Sequence, residues 1–279
     1  MKILNGKELA RLVKEDVKNK IEKLKPVTLV VVQIGDDPAS SVYVKNKEKA
    51  CEECGIESRI IKLPETIEEE KVLELIDDLN KDEKINGILV QLPLPPQFNE
   101  QKILQCISPE KDVDGFHVMN SGKLMIGEET FVPCTAKGII RLLEHNGVEI
   151  ERKNCVVVGR SNIVGKPVAM ELLRRNGTVT ICHSKTENLE RYCRCADILI
   201  CAVGKPKFFG KKFVNPNTVV VDVGIHRQED GTLCGDVDFE EVKDIVYAIT
   251  PVPGGVGAMT VAMLMENLVE GKYESIKTR

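Results

Sequence analysis

The chain has 279 residues, a formal net charge of −4, 42% hydrophobic residues and 4% aromatic residues. This length suits one large or two ordinary domains with complete apolar cores, and we expect two domains. Because the basic residues are scattered and aromatic residues are few, the composition argues against nucleic acid and against a membrane surface as partners.

The N-terminal stretch lacks an apolar core of signal-peptide length, and no apolar run approaches the length of a membrane-spanning helix. We therefore expect a cytoplasmic protein in which the ten cysteines stay reduced. Cys51 and Cys54 form a C-x-x-C pair, but no histidine pair stands at zinc-ligand spacing. The cysteines are interpreted as small buried apolar residues, and no metal site is predicted.

The first part of the chain alternates between helix and strand patterns. Amphipathic spacing predicts helices, and near-continuous apolar runs predict strands that are buried on both faces. In chain order the pattern predicts a helix over 5–24, a strand over 27–34, a helix from Ser40, a strand over 56–63, a helix over 67–79 and a strand over 85–92. This alternation predicts a parallel α/β layer with helices on both faces.

A second alternating set follows a helix predicted over 134–148. Its strands are expected from residue 154 and over 178–182, 198–203, 218–223 and 245–249, followed by a terminal helix from Ala258. The predicted fold is two α/β domains, the second a Rossmann-like parallel sheet, joined by long helices with a cleft between them. The predicted boundaries are 1–135 and 136–257, with a C-terminal helix over 258–279 that packs back on the first domain.

The first strand of the second set ends in a turn that leads directly into a helix. The turn contains Gly159, Ser161 and Gly165, so its spacing departs from the G-x-G-x-x-G fingerprint of dinucleotide-binding proteins. Glycine lets a ligand approach the backbone closely, and a helix start offers unpaired N–H groups to a pyrophosphate. The turn is therefore either a nucleotide site or only a sharp connection between strand and helix.

The strand over 178–182 is followed by His183, Ser184 and Lys185. In a dinucleotide fold the end of this strand faces the adenosine ribose, where NAD enzymes place an acidic residue. No acid stands here, whereas Arg160, Ser184 and Lys185 suit the 2′-phosphate of NADP. The residues favour NADP over NAD, the alternative being that the two basic residues are solvated surface charges.

Other polar residues follow the predicted strands of the first set. Tyr43 and Lys47 are four residues apart and share one helical face, and Gln91 stands where the third strand ends. The glycine-containing loop that begins at Lys111 supplies two carboxylates, Asp112 and Asp114. Each residue taken singly has a plain interpretation as packing, a solvated face, a strand cap or a turn. Their shared place at strand ends favours a pocket.

Five segments together resemble the bifunctional methylenetetrahydrofolate dehydrogenase/methenyltetrahydrofolate cyclohydrolase family, over almost the whole chain. The matching segments are residues 35–40 with Tyr43 and Lys47, then 90–95, 109–115, 159–167 and 249–257. The resemblance implies a two-domain α/β homodimer with a small-molecule folate substrate and NADP as its cofactor. It implies oxidation of 5,10-methylenetetrahydrofolate to 5,10-methenyltetrahydrofolate, followed by hydrolysis to 10-formyltetrahydrofolate, as part of one-carbon metabolism and purine biosynthesis.

The resemblance also implies roles for particular residues. Lys47 matches the catalytic lysine and Gln91 the glutamine that orients it. Tyr43 matches a tyrosine that stacks on the aminobenzoate ring, and Asp114 a carboxylate that receives the pterin N–H donors. The implied substrate-binding set is Tyr43, Val90, Gln91, Leu92, Asp114, Pro253, Gly254 and Gly255. The implied cofactor-binding set is Gly159, Arg160, Ser161, Ile163, Ser184, Ile225, Gly257 and Thr260.

The chain departs from the family at Ala258, where relatives commonly have proline. The departure affects only the expected rigidity of this loop, since proline in a first helical turn is helpful but not required for chemistry. Two alternatives remain: a monofunctional dehydrogenase without cyclohydrolase activity, and a non-catalytic NADP-binding sensor. The joint presence of Tyr43, Lys47, Gln91 and Asp114 favours two activities.

Overall fold

The protein is described by a computed structural model that covers residues 1–24 and 26–277. The chain divides into two compact units. The large-sheet unit contains Met1–Arg11 and Thr135–Thr260, and the small-sheet unit contains Leu12–Cys134 and the residues from Val261 onward. The last two residues of the helix predicted over 258–279 lie outside the described residues.

The secondary structure alternates between strands and helices. The strands of the described residues are β1 (Lys2–Ile3), β2 (Thr28–Ile34), β3 (Glu57–Leu63), β4 (Gly87–Val90), β5 (Asn154–Val158), β6 (Thr178–Cys182), β7 (Ile198–Cys201), β8 (Val219–Asp222), β9 (His226–Arg227), β10 (Leu233–Cys234) and β11 (Ala248–Ile249). The helices are α1 (Gly6–Ile21), α2 (Pro38–Cys54), α3 (Glu69–Lys81), α4 (Glu100–Cys106), α5 (Val118–Ile126), α6 (Cys134–His145), α7 (Gly165–Arg174), α8 (Leu189–Arg194), α9 (Phe239–Val242) and α10 (Val256–Lys277). A short 3₁₀ helix spans Lys211–Phe213.

The small-sheet unit is built on a three-stranded parallel sheet in the order β3–β2–β4. Every residue of the central strand β2 is buried, because side chains alternate between two covered faces. On one face, Val30 and Val32 pack with the apolar residues of α3 and α4. On the other face, Gln33 bonds to Ser41 of α2, which covers that side. The sheet therefore presents the ends of β2 and β4 beside α2.

The large-sheet unit contains a six-stranded sheet in the order β1–β11–β8–β7–β5–β6, in which neighbouring strands run parallel. Its core includes Val156, Leu199 and Val220 from adjacent strands, with Phe209 and Phe213 packed against them. The chain passes from β5 to β6 on one side and returns to β7 on the other side of β5. This reversal of strand order creates a topological switch point at the end of β5, where ligands of such sheets bind.

The predicted α/β architecture with a Rossmann-like second sheet is confirmed. The helix predicted from Ala258 begins at Val256. The chain divides close to the predicted boundary at residue 135, but residues 1–11 belong to the large-sheet unit because β1 pairs with β11. The short helices α4 and α5 and the antiparallel pair β9–β10 were not predicted. The interdomain cleft stays a prediction.

Candidate functional site

Lys47 lies on the third turn of α2, beside the end of β4. The helix starts with Pro38, and the Asp37 carboxylate accepts a hydrogen bond of 2.6 Å from the Ser40 backbone N–H. Lys47 Nζ donates a hydrogen bond of 3.0 Å to Oε1 of Gln91. The backbone N–H of Gln91 in turn bonds to the carbonyl of Val32, which extends the pairing of β4 with β2. The predicted lysine–glutamine pair is thus in contact, with its acceptor anchored on the sheet.

Tyr43 lies on α2 one turn before Lys47. It is 41% exposed, so one face of its ring is accessible to a ligand. Lys45 lies between the two in sequence, but it lines a different surface groove together with Glu48 and Glu52. The helical periodicity therefore separates Lys45 from Lys47, as the sequence predicts.

The loop after α4 contains two residues that have structural roles. Lys111 Nζ donates hydrogen bonds to three carbonyl groups at the end of α3, those of Leu79, Asn80 and Asp82. Asp112 is buried, and burial raises the pKa of its carboxyl group. Its Oδ2 accepts hydrogen bonds from the backbone N–H of His117 (2.7 Å) and from Nδ2 of Asn120 (2.8 Å). Asp112 is therefore anchored to its own unit and is unsuited to binding a substrate.

Asp114, two residues further on, is half-buried beside Lys47. Burial raises the pKa of the Asp114 carboxyl, while the positive charge of Lys47 and a hydrogen bond from Cys134 act in the opposite direction. An anionic group and a cationic group therefore share one neighbourhood with Gln91. A carboxylate in such a place accepts two parallel N–H donors, whereas an amide mismatches one of them.

Asn267 is a residue of α10 that sequence reasoning missed. It is buried, and its Nδ2 donates to the carbonyl groups of Val113 (2.9 Å) and Val132 (3.2 Å). It thereby holds the residue before Asp114 against the segment that leads to α6. The available signal was a pair of polar residues, Glu266 and Asn267, inside an otherwise apolar helical stretch, 261–269. That signal does not identify the partner.

The turn after β5 is fixed by two glycines. Gly159 has φ +143°, and a Cβ there would overlap the carbonyl oxygen of Ala202, while a Cβ on Gly165 would overlap the carbonyl oxygen of Gly159. Ser161 Oγ accepts 3.2 Å hydrogen bonds from the backbone N–H groups of Val164 and Gly165. Ser161 therefore pairs with the backbone N–H groups at the start of α7, and its hydroxyl group still has a proton to donate.

The same turn is joined to the end of β6. The Gly159 N–H donates to the Cys182 carbonyl at 2.9 Å, which brings the residues after β5 and β6 to one edge of the sheet. Arg160 and Ser184 are exposed there, and Ile163 is half-buried. This is the edge at which the switch point lies, so these predicted cofactor residues lie together.

The remaining predicted residues lie in the turn before α10, in the first turns of α10 and, for Ile225, after β8. The N–H of Lys7 donates to the Gly254 carbonyl at 2.9 Å. A Cβ on Gly6 would overlap the carbonyl oxygen of Gly255, and a Cβ on Gly255 would overlap that of Pro251. Ile225 packs against Gly257, with its Cδ1 2.7 Å from the point that a Cβ would occupy. The rest of the predicted set in this region is Pro253, which is exposed, and Thr260, whose hydroxyl lies 3.2 Å from that of Thr135.

The predicted site residues thus form two groups. The small-sheet unit holds Tyr43, Lys47, Val90, Gln91, Leu92 and Asp114. The large-sheet unit holds Gly159, Arg160, Ser161, Ile163, Ser184, Ile225, Pro253, Gly254, Gly255, Gly257 and Thr260. None of the described helices combines the length and the apolar composition that crossing a membrane requires.

Two family profiles match this chain. One is described as "Tetrahydrofolate dehydrogenase/cyclohydrolase, catalytic domain" and matches residues 4–114, which include the Lys47 group. The other is described as "Tetrahydrofolate dehydrogenase/cyclohydrolase, NAD(P)-binding domain" and matches residues 133–275, which include the turn after β5. The two matches cover more than half of the chain and account for both groups of residues.

The chain is similar to known proteins along nearly its full length. It is 55% identical to "Bifunctional protein FolD" of Lachnoclostridium phytofermentans, over 96% of this chain and 97% of the relative. Its structure matches the bifunctional FolD enzyme of Campylobacter jejuni with a TM-score of 0.96 and 47% identity, over 99% of both chains. It also matches the FolD of Trypanosoma brucei, solved with NADP and an inhibitor, with a TM-score of 0.93 and 33% identity over 99% and 98% of the two chains. The chain belongs to the tetrahydrofolate dehydrogenase/cyclohydrolase family.

Proposed function

We propose that this protein is a bifunctional enzyme of folate one-carbon metabolism. It oxidises 5,10-methylenetetrahydrofolate to 5,10-methenyltetrahydrofolate with NADP, and it hydrolyses the product to 10-formyltetrahydrofolate. The observation that carries this proposal is the hydrogen bond from Lys47 to Gln91 beside Asp114, in a chain that matches both domains of the family. A non-catalytic NADP sensor would need the turn after β5 but would have no use for this group.

The residues of the small-sheet unit bind and hydrolyse the folate. Asp114 accepts the N–H donors of the pterin, Tyr43 stacks on the aminobenzoate ring through its exposed face, and Val90 and Leu92 flank the ring system. In the hydrolysis, water adds to the methenyl carbon and loses a proton, and a ring C–N bond then breaks to leave the formyl group. Lys47 accepts that proton when its amine is neutral, from a position fixed by Gln91.

The residues of the large-sheet unit hold NADP, which accepts the hydride from the one-carbon bridge. The turn after β5 faces the pyrophosphate, because Gly159 allows close approach of a ligand to the backbone and the Ser161 hydroxyl group has a proton to donate. Arg160 and Ser184 bind the 2′-phosphate, and Ile225 lies at the nicotinamide end. Ile163, Gly257 and Thr260 complete the cofactor set, and Pro253, Gly254 and Gly255 contact the folate. Alignment of the two rings is the main contribution of these residues to hydride transfer.

The test compares Lys47→Met with Lys45→Met, a matched substitution two residues away on the other face of α2. We expect Lys47→Met to lower methenyltetrahydrofolate hydrolysis by about 10²-fold or more, the usual contribution of a general base. NADP affinity should stay within about twofold, and Lys45→Met should retain both activities. The measurement is the loss of methenyl absorbance, with NADPH formation followed separately.

The same assay separates the alternatives. Wild-type protein that forms NADPH and accumulates methenyltetrahydrofolate without hydrolysing it is a monofunctional dehydrogenase. Wild-type protein that binds NADP but changes neither absorbance is a sensor. Normal hydrolysis by Lys47→Met would remove this lysine from the mechanism.

We also propose that the protein is cytoplasmic and that it is a homodimer, the latter as the family resemblance implies. Light scattering of the purified protein should give a mass near twice the chain mass of 31.0 kDa. Fractionation of the producing cells should recover the protein with cytoplasmic markers. A mass of one chain, or recovery in another fraction, would contradict the respective proposal.

A further inference from the structure

The large-sheet unit contains a buried carboxylate, that of Asp236, which is not among the predicted site residues. Asp236 is fully buried between β10 and α9. Its Oδ2 accepts hydrogen bonds from the N–H groups of Val203 (2.6 Å) and Gly204 (3.0 Å), and its Oδ1 accepts one from Lys205 (2.9 Å). One side chain therefore binds three successive amides of the loop after β7. This loop follows the strand next to β5, at the edge where the dinucleotide binds.

The same carboxylate also binds a histidine. Nε2 of His226 lies 2.8 Å from Oδ1 of Asp236, and the imidazole N–H donates because a carboxylate oxygen accepts. His226 directly follows Ile225, whose side chain packs against Gly257. Asp236 is therefore connected through His226 and Ile225 to Gly257 in the first turn of α10.

A second buried carboxylate, that of Asp222, fixes the backbone at Asp236. Asp222, at the end of β8, accepts hydrogen bonds from the N–H groups of Asp236 (2.9 Å), Gly224 (3.0 Å) and Val237 (2.9 Å). Gly224 and Gly235 allow this arrangement, since a Cβ on either residue would overlap one of the two carboxyl groups. Both the backbone and the side chain of Asp236 are thus fixed.

Ile225 is the exposed end of this chain of contacts. Its side chain is 39% exposed, although its neighbours Gly224 and Asp222 are buried. An apolar side chain that is exposed at the binding edge of the sheet offers a van der Waals contact to an aromatic ring. Its position then depends on the hydrogen bond between His226 and Asp236.

We propose that Asp236 and His226 are positioning residues for hydride transfer, which set the place of Ile225 and of the loop 203–205 against the nicotinamide end of NADP. This proposal rests on the proposed function and deepens it. Neither residue touches the reacting atoms. A displacement of about 1 Å at a reacting centre lowers the rate of an enzymatic step by up to about 10²-fold, so a loosened Ile225 affects hydride transfer more than binding.

The experiment uses the full-length protein with His226→Leu, which removes the donor, and His226→Gln, which keeps an N–H donor on a side chain of similar length. We expect His226→Leu to lower the single-turnover rate of hydride transfer by about 10-fold to 10²-fold, and His226→Gln to restore most of it. The Kd for NADP should change less than about threefold, and methenyltetrahydrofolate hydrolysis should stay near the wild-type rate.

The control is Gln228→Leu, which breaks a side-chain hydrogen bond of 2.8 Å to Thr232 in the same β9–β10 segment but has no contact with Ile225 among those described. It should leave all rates unchanged. An unchanged rate of hydride transfer in His226→Leu would overturn the proposal. So would a parallel loss of both activities with a lower melting temperature, because that pattern is purely structural.

A second variant covers the case in which His226→Leu does not fold. Ile225→Ala removes a partly exposed side chain and should keep the fold, yet it should slow hydride transfer without slowing hydrolysis. Normal hydride transfer in Ile225→Ala would reject the role given to this contact. Wild-type protein without any dehydrogenase activity would instead reject the proposed function, so the two failures are distinguishable.

Discussion

The turn after β5 and the group around Lys47 are built in different ways. The turn is a contiguous segment whose shape is set by backbone geometry, with Gly159 and Gly165 packed where no Cβ fits. The Lys47 group combines side chains from α2, from the end of β4 and from the loop at Asp114. A substitution in the turn should therefore lower the stability of the protein, whereas a substitution in the Lys47 group should lower its activity.

The same contrast separates the carboxylates of the molecule. Asp112 and Asp236 accept hydrogen bonds from backbone N–H groups and thereby hold loops in place. Asp114 lies instead beside a cation and a thiol. Burial alone does not identify a functional acid, and the kind of donor around it is the better guide.

The largest effect is expected from Gly159→Ala. The new Cβ would overlap the Ala202 carbonyl and would require a φ that side chains rarely adopt, which should cost on the order of 3–5 kcal/mol of stability. Gly231→Ala is the matched control, because it has φ +82° but open space around it, and it should cost about 1–2 kcal/mol. Urea denaturation, monitored by circular dichroism, measures the free energy of unfolding of both variants. Equal losses would show that the steric contact at Ala202 is unimportant.

The next effect distinguishes the two carboxylates of the loop after α4. Asp114→Asn should lower kcat/KM for the folate by about 10²-fold, roughly 3 kcal/mol, because an amide mismatches one pterin donor. Its melting temperature should not fall. Asp112→Asn should show the reverse, with a stability loss of about 1–3 kcal/mol and normal kinetics of the folded protein. Kinetic and thermal assays of both variants provide the measurement, and two identical profiles would contradict the assignment.

The backbone-held carboxylates also predict a pH dependence of stability. Burial raises the pKa of Asp222 to about 6, so the folded state holds its proton more tightly than the unfolded state between about pH 4 and 6. The stabilisation is complete below that window and is lost as the pH rises through 6. Between pH 5 and 7 this group should lower the free energy of unfolding by on the order of 1–2 kcal/mol.

Asp222→Asn should remove this part of the pH dependence, although it also loses hydrogen bonds and is less stable throughout. Unfolding midpoints at several pH values, compared between the variant and the wild type, isolate the effect. Identical slopes for the two proteins would show that Asp222 does not titrate in this range.

The smallest effect is expected at the exposed residue Arg160. Arg160→Ala should weaken NADP binding by about fivefold, roughly 1 kcal/mol, since an exposed charge pair is screened by solvent. The affinity for NAD should be unchanged. Arg174→Ala, an exposed arginine at the other end of α7, is the control. Equal weakening of both coenzymes by Arg160→Ala would refute its assignment to the 2′-phosphate.

The sequence predicts best those features that depend on neighbouring residues. The strand over 178–182 and the turn at Gly159 were predicted where they occur, because apolar runs and glycines are local signals. Strand β1 was missed, since its two residues form a strand only by pairing with β11, and its partner lies about 250 residues away in the chain. Pattern alone does not predict such a pairing.

The same limit applies to the site. The shared place of Tyr43, Lys47, Gln91 and Asp114 at strand ends favours a pocket, but only the family resemblance gives these residues their roles, because they come from separate segments. Asp236 and Asn267 were missed altogether, since each acts through hydrogen bonds to a backbone distant in sequence. A polar residue in a sequence does not reveal whether it will be buried or which amides it will meet.

The interleaving of the two units has a consequence for biosynthesis. Each unit is assembled from two separate parts of the chain, since Met1–Arg11 joins Thr135–Thr260 and Leu12–Cys134 joins the residues from Val261 onward. Strand β1 therefore cannot pair until β11 has been synthesised, and the small-sheet unit is incomplete until α10 has been synthesised. Neither unit completes its fold until these distant segments have been synthesised, so the nascent chain has a prolonged need of protection from aggregation.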